Sequence, residues 1–202
     1  MTELKTRHVE AEDGVRLAVH ELGGEGGRPV VLLHGLVSSA QVNWIKYGTA
    51  ARLAEAGYRC LMPDLRGHGD SGAPDDPAAY PRDILVRDNA GIIRALGLTD
   101  YDLVGFSLGA RTSVKLVIDG LTPKKLILSG MGLDGLVDWD RRRDYFVGVI
   151  DRIDTLKRGD PGFMVAAFMK TTGIDPEVVR HVVNSFGDLD PARLAEVGMP
   201  AL

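Results

Sequence analysis

The sequence predicts an α/β fold: a mostly parallel, doubly wound sheet with a helical cap. Three observations carry this expectation. Runs rich in apolar residues, "VVLLHG", "YRCLMPDL", "YDLVGF" and "KKLILSG", recur between stretches with helical spacing. Such alternation implies parallel strands covered by helices on both faces. The 202 residues, 45% hydrophobic and 26% charged, suit one domain with a sizeable core. From Leu136 to Phe186 the strand signals stop and only helical patterns occur.

The elements read in order as follows. Residues 7–12 and 15–21 alternate roughly apolar and polar around "EDG", which predicts a hairpin with one wet face. "GGEGGRP" is a flexible loop. "VVLLHG" has no polar face and so belongs in the middle of a parallel sheet. A helix is expected over 40–56, closed by Gly57, before the strand "YRCLMPDL". Residues 82–96 give the clearest helix, with Leu85, Val86, Ile92, Ile93 and Leu96 on one face and Gly97 as the stop. The strand "YDLVGF", the helix "SLGARTSVKLVIDG" and the strand "KKLILSG" follow. Beyond them, Tyr145, Phe146, Val149, Ile150 and Ile153 share a predicted helix face. Asp175-Pro176 and Asp190-Pro191 are helix starts, with an N-cap and a proline at the first helical position. The implied organisation is a core over 1–135, a helical block over 136–188 that lies across the sheet, and a return to the core over 189–202.

The chemistry centres on "GFSLG", residues 105–109, where a buried strand meets a helix. A strand that turns abruptly into a helix holds its corner residue in a strained conformation, and glycines on either side avoid collisions there. The corner side chain, Ser107, is thrust out beside the amino end of a helix, a presented nucleophile. A tetrahedral intermediate at this serine would carry a negative oxygen that needs two donors. The N–H of Leu108 is one candidate. The other is the N–H of Leu36, in the loop after "VVLLHG", where Gly35 lets the backbone turn inward. His34, at the strand end, reads as a loop-fixing residue rather than a base.

"LLHGL", "DLRGHGDS" and "VGFSLGA", in this order and spacing, resemble the α/β-hydrolase superfamily, in particular its branch of capped serine esterases, lactonases, C–C hydrolases and cofactor-free haloperoxidases. The resemblance runs from about residue 7 to the end of the sequence. It implies that the helical block is the cap and that His68, in "DLRGHG", is structural. Epoxide hydrolases and haloalkane dehalogenases of this fold carry aspartate at the elbow, so Ser107 points to acyl chemistry through an acyl-enzyme. The expected function is cleavage of a small carboxylic ester, thioester or lactone. The alternatives are C–C hydrolase or haloperoxidase chemistry, and a non-catalytic or partner-completed ligand-binding member of the fold. Gly35, Trp139, Tyr145, Phe146 and Phe168, with Phe163, Met164 and Met169, could line the substrate site, although each also fits plain cap core. "WDRRRD", residues 139–144, reads as a solvated helix start, with binding of an acidic substrate as its other reading.

The resemblance also implies a triad ordered Ser, Asp, His. The chain reaches "MPAL", which looks like the opening of a late strand. The acid and base are therefore expected beyond Leu202, with the C-terminal strands of a longer hydrolase. Within the sequence only His181 follows Ser107 as a histidine, on the polar side of a cap helix, and Asp134 is a candidate acid after "KKLILSG". No metal-ligand spacing and no G-x-G-x-x-G after a strand occur, so neither metal nor nucleotide cofactor is expected. The net charge of −4 gives no reason to expect nucleic acid or an anionic membrane. A polar amino terminus and the single Cys60 suggest a cytoplasmic protein. The oligomeric state is open, a homo-oligomer included.

Overall fold

The structure, a computed structural model, describes residues 3–202. A six-stranded sheet runs through it in the order β1-β2-β4-β3-β5-β6. The strands are β1 (Lys5–Glu10), β2 (Arg16–Leu22), β3 (Arg28–Leu33), β4 (Tyr58–Pro63), β5 (Asp102–Phe106) and β6 (Leu126–Ser129). The first two strands form the expected hairpin, and β2 continues antiparallel onto β4. From β4 to β6 every pairing is parallel. The last residues extend the pattern: Ala201 bridges Leu126 in parallel, and the Leu128 N–H donates to the Leu202 carbonyl at 2.8 Å.

The two sheet faces divide the apolar residues by strand parity. Val30 and Leu32 of β3, with Cys60 and Met62 of β4, pack against Trp44 and helix α1 (Thr49–Glu55). Val31, Leu33, Leu61 and Leu103 face α2 (Ile84–Ala95) and α3 (Leu108–Ile118). Every residue of α3 is buried, so it is the central helix of its layer. Four further helices follow: α4 (Leu133–Val137), α5 (Trp139–Ile150), α6 (Phe163–Thr172) and α7 (Pro176–Asn184). Trp139, Ile150, Met169 and the α7 stripe Val178, Val179, Val182 and Val183 join the same apolar cluster as α2 and α3. Asp175 caps α7 as expected, accepting from the Glu177 N–H at 2.8 Å.

Five expectations need correction. The helix expected over 40–56 is two pieces, a π-helical turn over Gln41–Ile45 and then α1, because Gly48 takes φ 79° between them. Helix α2 starts at Ile84 rather than 82, because Asp83 sits at φ 58°. The hairpin is not half wet: β2 lies between β1 and β4, and Leu17 to Glu21 are all buried. Its Glu21 is matched there by Arg59, at 2.6 Å, and by Arg7. In α5, Val149 and Ile150 are buried as expected, but Tyr145 is 45% exposed and leaves that face. The Asp190-Pro191 start does cap a helix, but a 3-10 one over Pro191–Glu196.

The junction of β5 and α3 is the tightest point. A Cβ on Gly105 would lie 2.5 Å from both N and Cα of Ala110. One on Gly109 would lie 2.6 Å from the Leu33 carbonyl carbon and 2.7 Å from the His34 carbonyl oxygen. These are backbone atoms that no rotamer change can move. Gly105→Ala should therefore destabilise the chain by about 3 kcal/mol or more in urea unfolding, at the upper end of overpacking penalties. A half-buried control, Gly91→Ala in α2, meets nothing within 4 Å and should be neutral or slightly stabilising.

Candidate active site

The corner residue between β5 and α3 is Ser107, at φ 51° and ψ −113°. A non-glycine residue there stores roughly 1–3 kcal/mol of strain, and the surroundings must hold it in place. Its N–H donates to the Ser129 carbonyl on β6 at 2.7 Å, and its carbonyl accepts from Arg111 at 3.1 Å. With the backbone fixed on both sides, the side chain is partly exposed at the amino end of α3. The loop after β3 comes close: a Cβ on Gly35 would sit 3.4 Å from the Ser107 Cβ and 3.1 Å from the Phe106 ring.

Ser107, Leu36 and Leu108 together line one narrow cleft, closed from the cap side by Met131, Trp139, Arg142 and Phe146. It encloses only about 10 Å3, room for about one water molecule. Among the described residues, neither the Leu36 N–H nor the Leu108 N–H has an acceptor. The amides flanking Leu36 are both tied down: Gly35 N–H donates to Asn43 Oδ1 at 2.9 Å, and Val37 N–H to His68 Nε2 at 3.2 Å. Val37 is itself at φ 54°, so strained backbone occurs in both segments that meet at the cleft.

Two buried histidines hold these loops, each with both ring nitrogens in use. His34 donates from Nδ1 to the Gly35 carbonyl at 2.8 Å and accepts at Nε2 from the Leu65 N–H at 2.9 Å. His68 donates from Nδ1 to the Arg66 carbonyl at 3.0 Å while Nε2 accepts from Val37. Burial pushes both below the usual histidine value, His68 to about 3, so both are neutral. Arg66 anchors the second loop from beneath. It donates to Asp88 at 2.8 and 2.9 Å, to Asp13 at 2.5 and 2.9 Å, and to the Ala79 carbonyl.

Asp64 joins the two loops. It accepts from the Ala40 N–H at 2.7 Å, the Asp70 N–H at 2.9 Å and His20 Nε2 at 3.0 Å. Burial alone would raise this carboxyl, but the hydrogen bonds from His20 and the backbone outweigh it and hold it below its ordinary value. The bond to Asp64 in turn raises His20 against the opposing effect of burial. His20, Asp64 and Asp70 present ligand atoms within 4.8 Å of one another, the one grouping among the described residues that could hold a metal ion. Sequence spacing missed it because β2 and the loop after β4 are brought together only by the sheet.

Arg111, one turn into α3, is fully buried and has no carboxylate partner within 4 Å among the described residues. It donates instead to backbone oxygens where the cap begins, Gly135 at 3.1 Å and Leu136, and where it ends, Gly187 at 2.6 Å. Its guanidinium stacks over the Trp139 ring at 4.6 Å, and the Trp139 indole N–H donates to the Val183 carbonyl at 2.9 Å.

The expected lining residues divide. Gly35, Trp139 and Phe146 lie at or against the cleft. Tyr145 does not reach it, and Phe168, 36% exposed, lines a separate groove of about 710 Å3 between Ser38, Lys46 and the α6–α7 turn. Asp134 is exposed in the first turn of α4 and lies outside the cleft. His181 hydrogen-bonds the Asp75 carbonyl at 3.2 Å, also outside it. Met131 and Arg142 were missed as lining residues. Helical periodicity could not have aimed them at the serine, because their direction depends on how the cap root docks on α3.

Comparison with known proteins gives consistent likenesses. A family model described as "alpha/beta hydrolase fold" matches residues 28–172. Epoxide hydrolase A from Mycobacterium tuberculosis is 37% identical over 105 residues, 52% of this chain and 32% of that protein. Epoxide hydrolase 2 from Siraitia grosvenorii is 34% identical over 99 residues, 48% of this chain and 29% of its own length. The match thus spans less than a third of either curated relative. An esterase from Exiguobacterium antarcticum superposes with a TM-score of 0.75 at 24% identity, covering 98% of this chain and 79% of the esterase, a likeness of fold. No helix is long and apolar enough to cross a membrane among the described residues.

Two measurements test the framework. Arg111→Met removes the donors to three buried carbonyls, each worth roughly 1–3 kcal/mol when orphaned. It should lower stability by about 3 kcal/mol and make limited proteolysis begin within 136–187. The raised His20 contributes stability that is fully present below about pH 6.5 and is lost as the pH rises through its folded value. The stability difference between wild type and His20→Gln should therefore shrink from pH 6 towards mildly alkaline pH. A difference that stays constant across that range would remove the His20–Asp64 charge interaction from the account.

Proposed function

Starting from a chain that belongs to the alpha/beta hydrolase fold family, we propose that it carries the nucleophile and oxyanion hole of a serine hydrolase acting on a small carboxylic ester, thioester or lactone. The carrying observation is the one cleft lined by Ser107, Leu36 and Leu108, with the backbone amides of the two leucines lacking acceptors. Ser107 Oγ attacks the acyl carbon, and the carbonyl oxygen becomes the oxyanion received by those amides. The intermediate collapses, the alcohol or thiol leaves with a proton, and an acyl ester remains on Ser107. Water then attacks that ester and releases the acid.

Serine also argues against the epoxide chemistry named for the curated relatives. Opening an epoxide with an alcohol would leave an ether, which water does not cleave under these conditions. An acyl ester turns over. The proton acceptor and its orienting acid are assigned, within this proposal, to residues outside the chain.

A second reading, ligand binding without turnover, rests on one observation: no histidine lines the cleft among the described residues. A fluorophosphonate probe separates the two. The serine-hydrolase reading expects adduct on Ser107, located by peptide mass spectrometry and abolished in Ser107→Ala. Turnover by the 202-residue chain alone should be roughly a million-fold below that of a complete triad. An intact, folded protein that carries the acid and base and still never takes up the probe at Ser107 would overturn the enzymatic proposal.

A further inference from the structure

Arg142 is the one residue of "WDRRRD" whose charge is left unmatched. Its neighbours are satisfied on the helix surface: Arg141 pairs with Asp138 at 2.7 Å, and Arg143 with Asp140 at 2.6 Å and Asp144 at 3.0 Å. Arg142 makes no ion pair or hydrogen bond among the described residues, and its Nε is buried without a partner. A buried guanidinium N–H without an acceptor is costly, and such groups in native structures call for an explanation.

Its position supplies one. Arg142 and Phe146 are shared by two adjoining spaces, the narrow cleft at Ser107 and an open groove of about 340 Å3 bounded also by Arg141 and Tyr145. No acidic side chain lines either space. A second cation lies close by. Buried Arg111 stacks on Trp139, which forms a wall of the cleft; burial foremost, with a smaller contribution from the charge of Arg142, pushes Arg111 down to about 10 against the opposing pull of Asp188 and Asp83. An anion at Arg142 would relieve that repulsion and satisfy the orphaned Nε.

We propose that Arg142 determines substrate specificity by receiving a carboxylate at the far end of the acyl chain, so that the preferred substrates are half-esters of dicarboxylic acids. The reactive carbonyl sits at Ser107, the narrow cleft widens as the chain passes Phe146, and the terminal carboxylate lies in the adjoining groove, where it meets the guanidinium in a two-point contact. This rests on the Ser107 reading above and narrows its substrate class. It also assigns the aromatic side chains a role, since Phe146 then walls the apolar middle of the acyl chain between its two polar ends.

Two aryl phosphonate probes of equal length, one ending in a methyl group and one in a carboxylate, test it by their rates of adduct formation at Ser107. Wild type should favour the carboxylate probe at least tenfold. Arg142→Gln should bring the ratio near one, Arg142→Lys should retain part of it, and Arg142→Glu should invert it; circular dichroism melts check that each variant is folded. Labelling by both probes without preference in wild type overturns the role of Arg142 and leaves Ser107 standing. If neither probe reacts with the intact protein that carries the acid and base, the Ser107 reading fails, and calorimetry decides on Arg142 alone. Folded Ser107→Ala protein should bind monomethyl glutarate at least tenfold more tightly than dimethyl glutarate. Equal binding of the two, or equal loss of both in Ser107→Ala/Arg142→Gln, overturns the proposal.

Discussion

Helix α3 can begin directly below the end of β3 because Gly105 and Gly109 present no side chain to the backbone they meet. That contact is the constraint on which the rest of the molecule depends. It forces Ser107 into a conformation L-residues avoid, and it sets the amino end of α3 against the loop carrying Leu36. The strain is held by bonds on both sides of the corner, to Ser129 and from Arg111, and by burial of the helix along its whole length. The geometry of this corner is thus a property of close packing between main chains.

Much of this was legible in the sequence because it depends on short-range rules. Strand and helix periods, the glycines around Ser107 and the Asp-Pro helix starts each act within a few residues. They gave the alternation of strands and helices, the all-helical block after Leu136 and the cap on α7. The opening of a strand at the last four residues was also readable from its pattern, and those residues do pair with β6. Strand order was not legible. It decides that β2 is flanked on both sides, and so that polar His20 and Glu21 are buried.

The site was legible in part. Leu36, Leu108 and Ser107 could be brought together on paper because strand ends in a parallel sheet line one edge. The cap side could not. Tyr145 and Phe168 have the same apolar signature as Trp139 and Phe146, yet only the latter two face the serine. The difference is the rotation of α5 and α6 about their axes, set by what Trp139, Ile150 and Met169 bury. Arg142 looked like one more solvated charge, since pairing with neighbours is visible in sequence and failure to pair is not.

Arg111 ties the helix that follows Ser107 to both roots of the cap, and it does so through main-chain oxygens of Gly135, Leu136 and Gly187. An anchor that reads carbonyl groups places no demand of its own on side-chain identity at those points. The helices strung between them can therefore drift and diversify over evolutionary time while their attachment persists. The overlying surface would then be free to change by mutation within those helices, with the Ser107 corner inherited unaltered.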